Sequence, residues 1–456
     1  MASNKKYIGL VILLFLITRV FILACPSKSS AGDMKIYYMH AKKFAQEDLY
    51  GFYEQTEFEY PPLAMLVIYP PYKLANAFRS VSIFKETNRI VLYTYAFKTL
   101  NFFLDIISFV LFFFILNSII KNKRRFLFGL LWYVVGFIFL RDLLYVRLDM
   151  AMVFLLLLCL WFLFVKKTYM CSFFVLAVAI NYKLVPIALA PVFVLITLPI
   201  SLFNIKILKK KLRLFISAVL SRSLAIFLMS LLVLLPFLLT VKSQTFNFLQ
   251  HHSGRGLQLE SIYGIYNLIA SFFGQPWQVA MSRTSYDFTS DVSGKLADVS
   301  ILVLSLVLVI SYAVIVLHMA KSVGKKKDRE LGLFVHEFPA TSILYILFVL
   351  SLSIAFSKVF SPQYLLWLIP LMPLALKESK TDYLIMYLFV MILLLSMLIW
   401  PGLYKEVENG TILGRSLLLV RNLNFLLFVF LLANKLTART KRPVANLDQP
   451  EFLAKL

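Results

Sequence analysis

Apolar runs long enough to cross a bilayer recur along almost the whole chain, and they decide what this sequence can fold into. About twelve are readable, of roughly 12–28 residues, against ~20 for a perpendicular helix. They cover 7–25, 93–120, 126–141, 149–165, 170–181, 185–203, 214–241, 297–318, 336–356, 363–376, 382–400 and 413–434. Inside hydrocarbon every backbone polar group needs a partner within the structure, which leaves helices for such segments. The predicted fold class is therefore an all-α polytopic membrane protein. Composition agrees: 60% of residues are hydrophobic and 15% charged, against roughly 45–50% and 25% in a soluble domain. The 456 residues read as one membrane domain.

The net charge of +24 does not indicate nucleic-acid binding. The basic residues form short clusters between apolar runs, which is how charge fixes membrane orientation, and no basic face gathers on a soluble domain. Lys5-Lys6, Lys121 to Arg125, Lys166-Lys167, Lys209 to Lys211, Lys325 to Lys327, Lys377 with Lys380, and the tail 436–456 fall at every second boundary. This pattern predicts cytoplasmic termini and a hairpin in 170–203 with Asn181-Tyr182-Lys183 at its outer turn. The two long outer loops are then 26–90 and 242–296. Met34 to Asp48 has the spacing of an amphipathic helix on the membrane surface, and Pro61-Pro62 and Pro70-Pro71 are expected to break regular structure.

Cys25, Cys159 and Cys171 make no disulfide framework. Ile22-Leu23-Ala24-Cys25 faintly resembles a lipoprotein cleavage site, but Arg19 interrupts the stretch before it and a retained first helix is the better reading. Asn409-Gly410-Thr411 is a sequon of the kind that arises by chance.

On this topology the chemically capable side chains share the outer side. The first loop supplies Asp33, Glu57 and Glu59. The 141–149 connector supplies Arg147 and Asp149, and the hairpin supplies Lys183. The second loop adds His251, His252, Arg255 and Glu260, and the 356–364 turn adds Lys358 and Gln363. Ionisable groups at the edge of the hydrocarbon are costly and usually line a cavity or pathway. Carboxylates beside His, Arg and Lys suit transfer from an anionic leaving group: a carboxylate takes the acceptor proton, and cations hold the departing phosphate. The cytoplasmic connectors are too short for a nucleotide-binding domain, and no Gly-rich phosphate loop follows a strand. A donor used on the outer side must arrive on a lipid.

Gly32-Asp33, Tyr37-Tyr38, Glu59-Tyr60-Pro61-Pro62-Leu63, Arg147-Leu148-Asp149, Lys183 with Pro186, His252 to Ser261, and Ser361-Pro362-Gln363-Tyr364-Leu365-Leu366-Trp367 occur in this order. The combination, over about residues 1–400, resembles glycosyltransferase family 87, the polyprenyl-phosphate-mannose-dependent mannosyltransferases of the GT-C fold. The resemblance implies a membrane hexosyltransferase, with a polyprenyl-phosphate sugar as donor and a glycan- or lipid-borne hydroxyl as acceptor. It implies an inverting reaction and a bacterial or archaeal cytoplasmic membrane. Asp33 would be the general base. His251 or His252 would lie near the donor phosphate or assist proton transfer. Arg255 and Lys358 would clamp phosphate, and Glu260 would bind sugar hydroxyls or orient Arg255. Some GT-C members carry an Asp-x-Asp metal pair; here Met34 and Lys35 follow Asp33, so no divalent metal or other cofactor is expected.

Plainer readings stand beside these. Asp33 suits a helix N-cap, and Lys358 a snorkelling lysine. Arg147 and Asp149 suit a structural ion pair, and Glu57 and Glu59 a loop-shaping role. The adjacent histidines lack useful metal-ligand spacing. Asp105 and Arg222 lie inside spans and need partners, each other being one choice. A transporter or flippase of a lipid-linked or anionic solute is the alternative class, although the sequence shows no paired inverted halves; a non-catalytic assembly factor is the second. The enzyme reading requires Asp33 and the Arg255 region to meet over one hollow at the outer face.

Overall fold

Long apolar stretches become long helices in the computed structural model, which describes residues 2–25, 31–81, 85–203, 205–282, 285–323 and 332–437. In chain order the principal helices are α1 (Ala2–Ala24), α2 (Ala31–Gln46), α3 (Arg89–Ile119), α4 (Lys123–Ile138) and α5 (Asp149–Trp161). There follow α6 (Tyr169–Tyr182), α7 (Ile205–Thr240), α8 (Asp291–Val323), α9 (Pro339–Ala355), α10 (Lys380–Met397) and α11 (Ile412–Thr437). The expected Lys325 to Lys327 connector and nearly all of the 436–456 tail lie outside the described residues.

Among the described residues, 7 helices are long and apolar enough to cross a membrane: Lys6–Ala24, Arg89–Ile119, Asp149–Lys166, Leu212–Thr240, Asp291–Val323, Lys380–Glu408 and Ile412–Thr437. The chain is a helical, multi-pass membrane protein. The other expected spans fall short of that length. Helices α4, α6 and α9 have 16, 14 and 17 residues. The 185–203 and 363–376 stretches are each divided into short helical pieces, several with a proline in their first turn. Proline suits the first turn of a helix and weakens one that it interrupts. Leu365 to Leu376 are buried throughout, so protein shields this broken backbone, as a bilayer requires.

The helices run between two ends. At one, Arg125 donates to the Leu376 carbonyl (2.9 Å), Lys435 pairs with Asp382, and Ile200 N–H donates to the Gly332 carbonyl (3.0 Å). This end carries the 121–125 and 166–167 basic clusters. At the other, Asn247 donates to the Tyr53 carbonyl (3.1 Å), Ser261 to that of Ser357 (3.2 Å) and Tyr263 to that of Phe356 (3.2 Å). Both long loops are therefore folded onto the same end.

The first loop departs from expectation in two ways. Helix α2 forms, but its apolar face (Met34, Tyr37 and Ala41, all buried) packs into the core, so protein rather than a membrane surface covers it. The Pro70-Pro71 pair does not break structure. Helix Met65–Arg79 runs through it, held by burial of Met65, Ile68, Pro71 and Ala75; packing overrides propensity here. The second loop contains three short strands, β1 (Leu257–Gln258), β2 (Val279–Ser282) and β3 (Ser285–Phe288), in antiparallel order β1-β3-β2.

Two buried charges inside the spans, Arg19 and Asp105, are paired. Asp105 accepts from Arg19 Nε (2.9 Å), Tyr133 (2.9 Å) and Tyr145 (2.8 Å), and Arg19 also donates to the Tyr133 and Val134 carbonyls. This network joins α1, α3 and α4. Of the choices open to Asp105, Arg19 is the partner and Arg222 is not. Arg222 stands 5.4 Å from the Tyr169 ring and donates to its own helix at Ala218.

Candidate functional site

The turn between α4 and α5 carries Arg147-Leu148-Asp149, and its two charges reach opposite ways. Arg147 Nη1 lies 2.5 Å from Asp33 Oδ1, in the first turn of α2. Asp149 Oδ1 accepts from Lys183 Nζ at 2.7 Å, at the end of α6. The structural pair expected between Arg147 and Asp149 is therefore two cross-element pairs that tie α2, α5 and α6 to one tripeptide. Asp33 stands in the first turn of α2, and its carboxylate pairs with Arg147 and remains 25% exposed.

The remaining predicted residues close around this turn. His251 Nδ1 is 3.3 Å from Glu57 and its Nε2 3.6 Å from Glu59. Tyr37 and Tyr60 hydroxyls meet at 3.4 Å. Lys183 Nζ sits 5.0 Å from both the Tyr364 and Trp367 rings, which stack on each other. Lys358 Nζ donates to the Ser253 and Arg255 carbonyls at 3.1 and 2.7 Å, so it shapes the Arg255 loop.

Electrostatics shows how near these groups lie. Burial raises the Asp33 carboxyl above the usual carboxylate range; Arg147 opposes that shift and Glu59 adds to it. Burial, then His251 and Arg255, lower His252 to about 4, with Glu59 pulling the other way. His252 is consequently neutral at neutral pH. Glu59 thus acts on both Asp33 and His252, and Arg255 acts on His252, so the two loops meet. Burial works against the Arg147 cation, but Asp33, Tyr37, Tyr60 and Asp149 outweigh it and raise its pKa.

Glu260 sits differently from expectation. It is buried and bonded to Arg421 of α11, whose Nη1 donates to Oε2 at 2.9 Å and whose Nη2 donates to the Glu260 carbonyl at 2.7 Å. Burial raises the Glu260 carboxyl and Arg421 opposes the rise. Glu260 therefore anchors the second loop to α11. Gly414 lets α11 approach closely: an added Cβ would come 2.2 Å from the Glu406 carbonyl oxygen. Arg421, missed from sequence, was detectable as a charge inside an apolar run.

Several polar atoms of the cluster are buried without a hydrogen-bond partner: Arg147 Nε, Asp149 Oδ2, Gln363 Oε1 and Trp367 Nε1. Most buried polar atoms in folded proteins have a partner, so each of these calls for an explanation; others lie elsewhere in the described residues, at Tyr53, Ser108 and Ser396 among them. Among the described residues, no group of three or more His, Cys, Asp or Glu is placed to hold a metal ion.

The loop anchoring gives a first prediction. Lys358→Met removes two charge-assisted bonds to the 253–255 backbone, each worth roughly 1.5–3 kcal/mol. Trypsin cleavage after Arg255 in detergent should accelerate at least about tenfold, since 1.4 kcal/mol of easier opening is a factor of ten. An unchanged cleavage rate would show that other contacts hold the loop.

Comparison of the chain with protein-family models, with curated proteins and with solved structures yields no match in any of the three.

Proposed function

We propose that this chain is a GT-C-type membrane glycosyltransferase that moves a hexose, mannose first among candidates, from a polyprenyl-phosphate donor to a lipid- or glycan-borne hydroxyl. The observation that carries the reading is a partly exposed carboxylate, Asp33, held 2.5 Å from a half-buried arginine in a patch that also contains Glu59, His252 and Arg255. In the proposed reaction Asp33 takes the acceptor's hydroxyl proton and the freed oxygen attacks the anomeric carbon. The bond from that carbon to the phosphate oxygen breaks, and its electron pair leaves with the phosphate. Arg147 and Arg255 meet that growing charge, and the configuration inverts. Neutral His252 offers a hydrogen bond without a competing charge. The unpartnered atoms of Asp149, Gln363 and Trp367 supply acceptors and a donor for sugar hydroxyls. No metal is needed, because arginines supply the positive charge.

The proposal includes about twelve bundle crossings, with the α4, α6 and α9 segments and the two proline-broken stretches completing the seven long helices. The basic connectors and both termini are assigned to the cytoplasm by the positive-inside rule, which puts the Asp33 patch on the outer face. Clustering at one end of the bundle favours this reading over a transporter, whose polar residues would gather near the midplane. The test is the purified protein in nanodiscs with polyprenyl-phosphate mannose and a candidate acceptor lipid. Release of free polyprenyl phosphate that depends on acceptor supports the reading. Donor flipping between leaflets with no release of polyprenyl phosphate would replace it with the transporter.

A further inference from the structure

We infer a second lipid site on this protein, one that does not depend on the transfer reading: a pocket for the phosphate of an anionic membrane lipid. A cavity of about 190 Å³ opens where the end of α1, α3 and the 141–146 turn meet, and its lining includes Phe21, Cys25, Lys98, Arg141 and Asp142. Lys98 Nζ donates to the Leu23 and Cys25 carbonyls at 2.7 and 2.8 Å, capping the last turn of α1. That uses two of its three N–H bonds. The Arg141 side chain is 55% exposed, and it stands 3.6 Å from Asp142, beyond good hydrogen-bond length. Two cations and one carboxylate leave the pocket net positive.

The surroundings identify a lipid rather than a free anion. Leu13, Ile17 and Phe21 lie four residues apart along one stripe of α1 and are 53%, 58% and 59% exposed. Phe21 is itself a wall of the pocket, so the stripe leads down from it as an acyl chain would. Depth agrees. From Lys98 to Ile119 is 21 residues of α3, about 31 Å at ~1.5 Å per residue, close to the ~30 Å hydrocarbon thickness. With Ile119 at one membrane boundary, Lys98 lies at the headgroup level of the other. A lipid phosphate seated here would bridge α1 to the turn that leads into Arg147.

Cys25 reports on occupancy, because it lines the pocket and is half-buried, whereas Cys159 is fully buried. Cys171 is exposed and is changed to Ser in the background. Full-length protein is placed in nanodiscs of phosphatidylcholine alone or with phosphatidylglycerol, and maleimide labelling of Cys25 is timed. Phosphatidylglycerol should slow labelling about fivefold, the weight of one cation at an anionic surface. Arg141→Gln, at an exposed position that the fold tolerates, should abolish the difference, and Lys42→Gln on α2 should keep it. Equal rates in the two membranes, or protection that survives Arg141→Gln, would overturn the site. Equal protection by inorganic phosphate in phosphatidylcholine discs would overturn the lipid occupant.

Discussion

Asp33→Asn should lower sugar transfer by roughly two to four orders of magnitude, the usual contribution of a positioned general base, while leaving the bundle folded. The asparagine keeps the shape and one acceptor oxygen for Arg147 but cannot take a proton. The measurement is acceptor-dependent release of polyprenyl phosphate, with size-exclusion profiles to show intact protein. Near-normal turnover would remove Asp33 from the mechanism. The pH profile adds a second constraint. Transfer needs ionised Asp33, so the rate falls as pH drops through its pKa. Burial has raised that value, which puts the acid limb above the usual carboxylate range. Arg147 is the group that opposes the rise. In Arg147→Met the carboxyl gains protons more readily, and the acid limb moves to still higher pH. A residue that merely braced the fold would lower the rate without moving the limb. His252, near 4, contributes no limb around neutrality.

Sequence carried the class of fold well and the partners of individual charges poorly, for a physical reason. Hydropathy is a local sum, so apolar segments could be located better than their ends: α9 covers 339–355 where 336–356 was expected, but α7 begins at 205 where 214 was expected. Span length alone could not show that prolines would divide 185–203 and 363–376, because burial, which makes broken backbone tolerable, is a tertiary property. The residues of the site could be gathered onto one end by topology, and Asp33, Glu59, Arg147, His251 and His252 do meet there. Their pairing could not be read. Arg147 and Asp149 sit two apart and suggest a mutual pair, yet they bond Asp33 and Lys183, 114 and 34 residues away. Likewise an intramembrane Asp105 announces that it needs a cation without naming it. Arg222 was one choice; Arg19, 86 residues off, is the partner, and the only sequence sign was its interruption of the first apolar run.

That Arg19 and Asp105 pair is where the second large effect is expected. Both side chains are wholly buried: Tyr133 and Tyr145 complete the carboxylate, and two carbonyls of α4 complete the guanidinium. Arg19→Met leaves a carboxylate in an apolar interior with two hydroxyls and no cation. Breaking one side of a buried pair costs about 3–5 kcal/mol, whereas neutralising both sides is often close to neutral. Arg19→Met alone should therefore shift unfolding in mixed detergent to markedly lower denaturing-detergent fraction. Arg19→Met combined with Asp105→Asn should recover most of the loss, because the amide still offers one acceptor and one donor to the two tyrosines. The double-mutant cycle is the decisive measurement. Additive losses would mean that the two charges do not depend on each other and that helices α1, α3 and α4 are held together by apolar packing alone. Strong recovery would mean that the pair sets which helices meet, and with them the position of Tyr145, two residues before the arginine that holds Asp33.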